Sequence, residues 1–312
     1  MDLITVVGYV IIAWFGIKLY NHVWHILYPY VIGTPKNLKK LAGAKWAVIT
    51  GSTDGIGKAY AFELASKGFD IVLVSRSEEK LAKVAEELKK QHQDVEVKTL
   101  TFDFSESDPK VYGEKLLKHL DEIEIGIFVN NVGQMFDYPD KLHEVPGGIP
   151  KLSSMLHINA TSLTILSAYV LKQMHQRKAG ILVNVSSSAS VWPLTYWNVY
   201  SATKKYVVWL TETLRREYCD SNITIQTLIP FMVDTNMAAN FRDAKMPKVF
   251  RPDAVSFAKS AVRTIGLVDE TTGCLFHQIQ KEIVAGFLPN LFLEAGCNKF
   301  AMEIRDKMLK IQ

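Results

Sequence analysis

The stretch WAVITGSTDGIGKAYAFELA, residues 46–65, decides the fold. WAVIT is a short continuous apolar run. It gives way to a glycine-rich turn and then to a helical pattern from about Ile56 to Lys67. Gly51, Gly55 and Gly57 lie between strand and helix, where a nucleotide loop needs a tight turn, close backbone approach to phosphates and free amides at a helix start. The spacing is G-x-x-x-G-x-G rather than the usual dinucleotide fingerprint, and a glycine cluster alone is often only a turn. Its place after the first apolar strand makes it a cofactor loop, with Gly51, Ser52, Asp54, Gly55, Ile56 and Gly57 as its contact residues.

Outward from this loop, apolar runs and helical patterns alternate. DIVLVSR (70–76) reads as a second strand, EEKLAKVAEELKKQ as an amphipathic helix, and EVKTLTFDF as a third strand. A helix near 109–120 precedes IGIFVNN (125–131), and a long helix over 152–174 precedes GILVNVSS. A helix over 200–218 leads to ITIQTLIP (223–230), and CLFHQI (274–279) is expected as a seventh strand. Continuous apolar strands are buried on both faces, and βα alternation forces parallel pairing with right-handed crossovers. The expected fold is α/β, a doubly wound, Rossmann-like parallel sheet of about seven strands in one domain over 46–312.

Composition narrows the function. The chain has 312 residues, 48% of them hydrophobic, and a net charge of +4, too weak to suggest nucleic-acid binding. Cys219, Cys274 and Cys297 form neither a disulfide framework nor a zinc spacing. The histidines are scattered too, so no metal is expected. His22 and His25 share a helical spacing without a nearby carboxylate and read as interfacial side chains.

The first residues differ in kind. Leu3 to Ile17 is uncharged, and a helix continued to Tyr28 would be ~39 Å long, against a hydrocarbon core of ~30 Å. Trp14, Tyr20, Trp24, Tyr28 and Tyr30 supply interfacial aromatics. Asp2 in place of basic residues, and no small-x-small site, argue against a cleaved signal. A buried helix is the remaining alternative to a membrane anchor over 1–30. Lys36, Lys39, Lys40 and Lys45 in the linker 31–45 orient the globular part toward the cytosol. The sequons at Asn159, Asn184 and Asn222 then read as chance matches.

Two further features carry chemistry. The second strand ends in Ser75-Arg76, with no acid for a ribose 2′-hydroxyl, and Arg76 offers a planar cation for a 2′-phosphate; NADPH is the expected cofactor. In YSATK, Tyr200 and Lys204 stand one helical turn apart on one face. An isolated pair of this kind is usually a packed Tyr beside a snorkelling Lys. A nearby ammonium would also pull the phenol's pKa down toward the working range.

TGSTDGIG, Asp103, NNVG at 130–133, Asn159, the serines 186–188 and YSATK together resemble the short-chain dehydrogenase/reductase family, in order and spacing, over 46 to about 280. The resemblance implies a catalytic set of Ser187, Tyr200, Lys204 and Asn159, with Ser187 selected because it lies 13 residues before the tyrosine. Asn159 would hold a proton-relay water, its alternative being a capping or surface amide. Asp103 would meet the adenine, and Asn131 and Gly133 would flank its ribose. Val233 and Thr235 would face the nicotinamide, and Tyr200 and Lys204 would also touch the cofactor. Val132 and Phe231 depart from the residues common in the family.

STDGIGKAYA, EIGIFVNNVG and the apolar leader are more narrowly similar to the 17β-hydroxysteroid dehydrogenase and very-long-chain 3-oxoacyl-CoA reductase branch. That similarity implies an endoplasmic reticulum membrane protein reducing a keto-lipid, as a homodimer and beside fatty-acid elongation partners. It leaves steroid against acyl-CoA open. An idle cofactor-binding scaffold is the rival reading. FDYPDKLHEVPGGIP (136–150) and a lid at 236–250, with Arg242, Lys245 and Lys248, are candidate substrate elements. EIVAGFLPNLFLEAG (282–296) is expected at the membrane surface, as a re-entrant contact, or facing a second copy.

Overall fold

The computed structural model describes residues 2–241, 247–287 and 290–310. Helix α1 (Leu3–Leu27) runs through a wider π turn at Tyr28–Ile32 and is followed by the short α2 (Leu38–Ala42). Then come β1 (Trp46–Thr50), α3 (Gly55–Ser66), β2 (Asp70–Ser75), α4 (Glu78–Gln91), β3 (Val97–Thr101), α5 (Pro109–Tyr112), α6 (Lys118–Leu120) and β4 (Ile125–Asn130). The second half holds α7 (Gly148–Leu156), α8 (Ser162–Arg177), β5 (Gly180–Val185), α9 (Asn198–Glu217), β6 (Ile223–Leu228), α10 (Ala254–Arg263), β7 (Glu270–Thr271), α11 (Leu275–Phe287) and α12 (Asn290–Leu309).

The strands form one sheet in the order β3-β2-β1-β4-β5-β6-β7, parallel at every pairing. Alternate strand residues feed two cores. Ala47, Ile49, Ile71, Leu73 and Val183 pack under α3, α4 and α10, with Tyr60, Leu64, Leu81, Leu88 and Phe257. Val48, Val72, Val74, Phe128 and Leu182 pack on the other face with Tyr112, Leu116, Leu166 and Val170. Strand order reverses between β1 and β4, so a crevice opens at their carboxyl ends, where ligands bind in open α/β sheets.

The expected seventh strand at 274–279 is instead the first turn and a half of α11, and the edge strand is only Glu270–Thr271, paired to Thr227 and Leu228. A short apolar run carries no period that separates strand from buried helix. Gly273, at φ 87, turns the chain between the two, and a Cβ there would come within 2.4 Å of the Phe257 ring. The expected loop at 136–150 also ends early, because Gly148 and Pro150 already belong to α7. A proline in the first helical turn costs no hydrogen bond.

Residues Leu3–Ile32 are long and apolar enough to cross a membrane, and they are exposed over the apolar stretch. The helix run Gly148–Arg177 passes the same test but is half buried against the sheet, as a core helix should be. The lower end of α1 is seated on the globular part. His22 Nδ1 lies 2.5 Å from Glu282 of α11, His25 lies 3.7 Å from the same carboxylate, and Tyr30 hydrogen-bonds Thr271 at 2.8 Å. The two histidines therefore do have a carboxylate, supplied from 260 residues away. The segment 282–296 divides between α11 and α12, and Glu282 turns it toward α1. In the expected lid, Lys248 is exposed, while Arg242 and Lys245 lie outside the described residues.

Candidate active site

The phosphate loop is built around close contacts that only glycine permits. Gly51 and Gly55 have φ of 64° and 52°, and a Cβ on Gly57 would lie 2.3 Å from the Gly51 carbonyl oxygen. Asp54 caps α3 by accepting from the Gly55 amide at 2.8 Å, and Asn236 Nδ2 donates to its other oxygen at 2.9 Å. Ser52 and Ile56 sit within this turn, with Ser52 buried and its amide and hydroxyl directed to the Val74 carbonyl. Asn131 Nδ2 donates to Thr50 O and Gly51 O, so its side chain braces the loop.

At the end of β2, Ser75 is paired through its hydroxyl with Thr53 at 3.1 Å, and Arg76 is exposed beside it. No carboxylate occupies either position. A cationic, uncrowded strand end of this kind fits a 2′-phosphate. Asp103 is exposed after β3 and spends one carboxylate oxygen on the Ser105 amide. Val233 is buried, and Thr235 would touch a Cβ on Gly55 at 3.0 Å, which places the turn after β6 against the phosphate loop.

The three serines of 186–188 take different partners. Ser186 Oγ donates to the Lys204 carbonyl at 2.7 Å, and the Ser188 amide donates to the Pro230 carbonyl. Ser187 starts a 3-10 turn in extended backbone; its hydroxyl accepts from the Ala189 amide at 3.2 Å and lies close enough to Tyr200 to lower the phenol's pKa. Of the three, Ser187 is the one that acts on the tyrosine, so structure and spacing choose the same serine.

Helix α9 buries Tyr200, Thr203, Lys204 and Val207 on one face. Lys204 Nζ donates to the Val185 carbonyl at 3.1 Å and lies 5.9 Å from the centroid of the Tyr200 ring. A Cβ on Gly133 would stand 3.3 Å from this ammonium and 3.6 Å from Asn159 Oδ1, so residues 133, 159 and 204 meet at one point. Asn159 occupies a π turn at His157–Thr161; its oxygen accepts from Gln134 N, and its amide donates to Gln134 O and Thr203 Oγ1. It is 2% exposed, which settles it as an interior clamp rather than a surface amide or glycan acceptor.

Burial governs the electrostatics. It pulls the Lys204 ammonium down to about 8 and pushes the Tyr200 phenol up, with the Ser187 hydrogen bond acting in the opposite direction on the phenol. The expected lowering of the phenol by the nearby ammonium does not emerge: desolvation dominates, and the Ser187 hydroxyl is what acts against it. A neutral, protonated phenol near pH 7 is suited to give up a proton.

Two buried residues escaped the sequence reading. His277 accepts from the Phe231 amide at Nδ1, 3.3 Å away, so Nε2 carries the proton facing the Met232 and Phe250 carbonyls. Desolvation lowers its pKa to about 4, keeping it a neutral clamp on the turn that carries Val233 and Thr235. Asn184, fully buried, links Asn130 of β4 to Thr211 of α9. Nothing in the local sequence distinguishes either residue, since their partners are 27 to 54 positions away.

Comparison with known proteins sets this geometry in context. The short chain dehydrogenase family model matches residues 45–246. A very-long-chain 3-oxoacyl-CoA reductase of Caenorhabditis elegans is 49% identical over 277 residues, 89% of this chain and 86% of that protein. Another protein of that nematode, provisionally named steroid dehydrogenase 2, is 45% identical over 98% of this chain and 95% of its own. Among solved structures, a short-chain dehydrogenase from Sphingobium yanoikuyae in complex with NADPH aligns with a TM-score of 0.61 at 28% identity, over 70% of this chain and 82% of that one. A chain that shares this much of its length with such proteins, on this sheet and around this tyrosine, belongs to the short-chain dehydrogenase family and is an NADP(H)-dependent oxidoreductase.

Proposed function

We propose that the chain reduces the 3-keto group of a long-chain 3-oxoacyl-CoA to the secondary alcohol, at the endoplasmic reticulum membrane. The observation that carries the reaction is the meeting of Ser187, Tyr200 and Lys204 at the carboxyl end of the sheet. NADPH, when bound, supplies the hydride. Ser187 donates a hydrogen bond to the substrate oxygen, where negative charge grows. Tyr200 delivers the proton to that oxygen, and Lys204 steadies the phenolate left behind while holding the cofactor ribose. Asn159 keeps the segment after β4 and the Thr203 turn of α9 in register with them.

The lipid character of the substrate is supported by the exposed apolar helix α1 and by the likeness to the nematode acyl-CoA reductase. Lys36, Lys39 and Lys40, exposed just past that helix, favour the cytosolic side for the globular part. The likeness to a protein with a steroid dehydrogenase name supports a 17-ketosteroid as the second reading. The test is detergent-solubilised protein with NADPH, offered a ketosteroid and a long-chain 3-oxoacyl-CoA side by side. A 3-hydroxyacyl-CoA product is expected. A steroid alcohol alone would move the assignment to the second reading, and turnover of neither, with NADPH bound, would overturn the reductase.

Cofactor choice is checked separately. The double change Ser75→Asp and Arg76→Leu should shift preference toward NADH at least ten-fold, about 1.4 kcal/mol, by removing the 2′-phosphate cation and adding a ribose acceptor. Unaltered NADPH selectivity in kcat/KM would remove Arg76 from the cofactor site.

A further inference from the structure

The family match ends at residue 246, yet the C-terminal helix α12 returns to the catalytic tyrosine. Ile304 is buried and Met308 half-buried in one apolar cluster with Tyr200, Trp197, Phe136, Tyr138 and Met155. A charged side chain helps to tie this helix down. Arg305 Nε donates to Asp140 Oδ1 at 2.8 Å, and its Nη2 reaches Glu144 at 3.4 Å.

Asp140 is a junction. It is 3% exposed, and its Oδ1 also accepts from the Lys141 amide. Its backbone amide donates to the Tyr196 carbonyl at 3.1 Å, and its carbonyl accepts from Asn198 Nδ2 at 3.1 Å. Asn198 is the first residue of α9, two before Tyr200. One buried aspartate thus joins the loop after β4, the start of the tyrosine helix and α12. A buried carboxylate is costly unless its partner stays in place, so the pair resists withdrawal of α12.

We propose that Arg305 and Asp140 latch α12 over the site as a wall of the substrate chamber, and that this latch sets the preference for long apolar substrates. Both are positioning residues: they hold Ile304 and Met308 where the apolar part of the substrate lies and do not touch the reacting carbonyl. The idea rests on the keto-lipid reading above and narrows it to a specificity element.

The test uses the full-length solubilised protein with a short-chain and a very-long-chain 3-oxoacyl-CoA. Arg305→Ala should raise KM for the long substrate about ten-fold while kcat, and the KM of the short one, change less than about two-fold. Arg305→Lys should restore most of the long-chain KM. Hydrogen exchange should rise across 298–309 in Arg305→Ala and stay unchanged in the sheet. Equal losses on both chain lengths, or unaltered exchange in α12, would overturn the latch. If the wild type reduces no acyl-CoA, the substrate reading fails, and the same variants are then measured on a ketosteroid and a small ketone. The latch is overturned there by the same two results.

Discussion

Tyr200→Phe is expected to bind NADPH as the wild type does and to lose turnover by about 10²–10⁴-fold, the usual weight of a positioned general acid. The ring that packs against Trp197 remains, so the apolar cluster around it stays filled. What disappears is the hydroxyl that meets Ser187. Without it, hydride delivery would leave the developing alkoxide without its positioned proton donor. Fluorescence titration with NADPH, beside steady-state reduction, separates the two effects. Near-normal reduction by this variant would remove Tyr200 from the chemistry.

Lys204→Met should cost activity on a similar scale, about 10²–10³-fold, through loss of a fixed charge beside the reacting oxygen. It should also make the cofactor-free protein more stable at pH 7. Lys204 is 4% exposed, and burial lowers its pKa from 10.5 to about 8. For a lysine, a depressed pKa means that no penalty exists above the unfolded value and that one builds up as pH falls from 10.5 through 8. At pH 7 the whole penalty, about 3 kcal/mol, is in place. Methionine removes it and gives up the bond to the Val185 carbonyl, about 1 kcal/mol, for a net gain of about 2 kcal/mol. By pH 9.5 the penalty should have fallen by more than half. Denaturant unfolding at the two pH values checks the sign. A variant that is less stable at pH 7 would show that the ammonium is not strained in the empty site.

Much of the fold and of the site is legible along the chain. The glycines of 51–57 and the Tyr200–Lys204 spacing obey rules that operate over a few residues, a turn after a strand and one helical turn. The choice of Ser187 needed the family's spacing. The structure brings that serine to the tyrosine and gives Ser186 to the helix backbone. Segment 274–279 is not legible as a helix because its apolar run has no period of its own; in the structure it opens α11, with His277 buried against the turn after β6.

The sequence by itself determined the first six strands and the helices between them, the phosphate loop, the missing acid after β2 and the apolar leader, since each follows from local period, turn chemistry or charge. Only the tertiary structure decided that burial raises the Tyr200 phenol, that Glu282 holds His22, and that Arg305 meets Asp140. The last two pairs are separated by 260 and 165 residues. Contacts of that kind arise when packed layers bring distant surfaces together and exclude water between them, and no local pattern records which surfaces those will be.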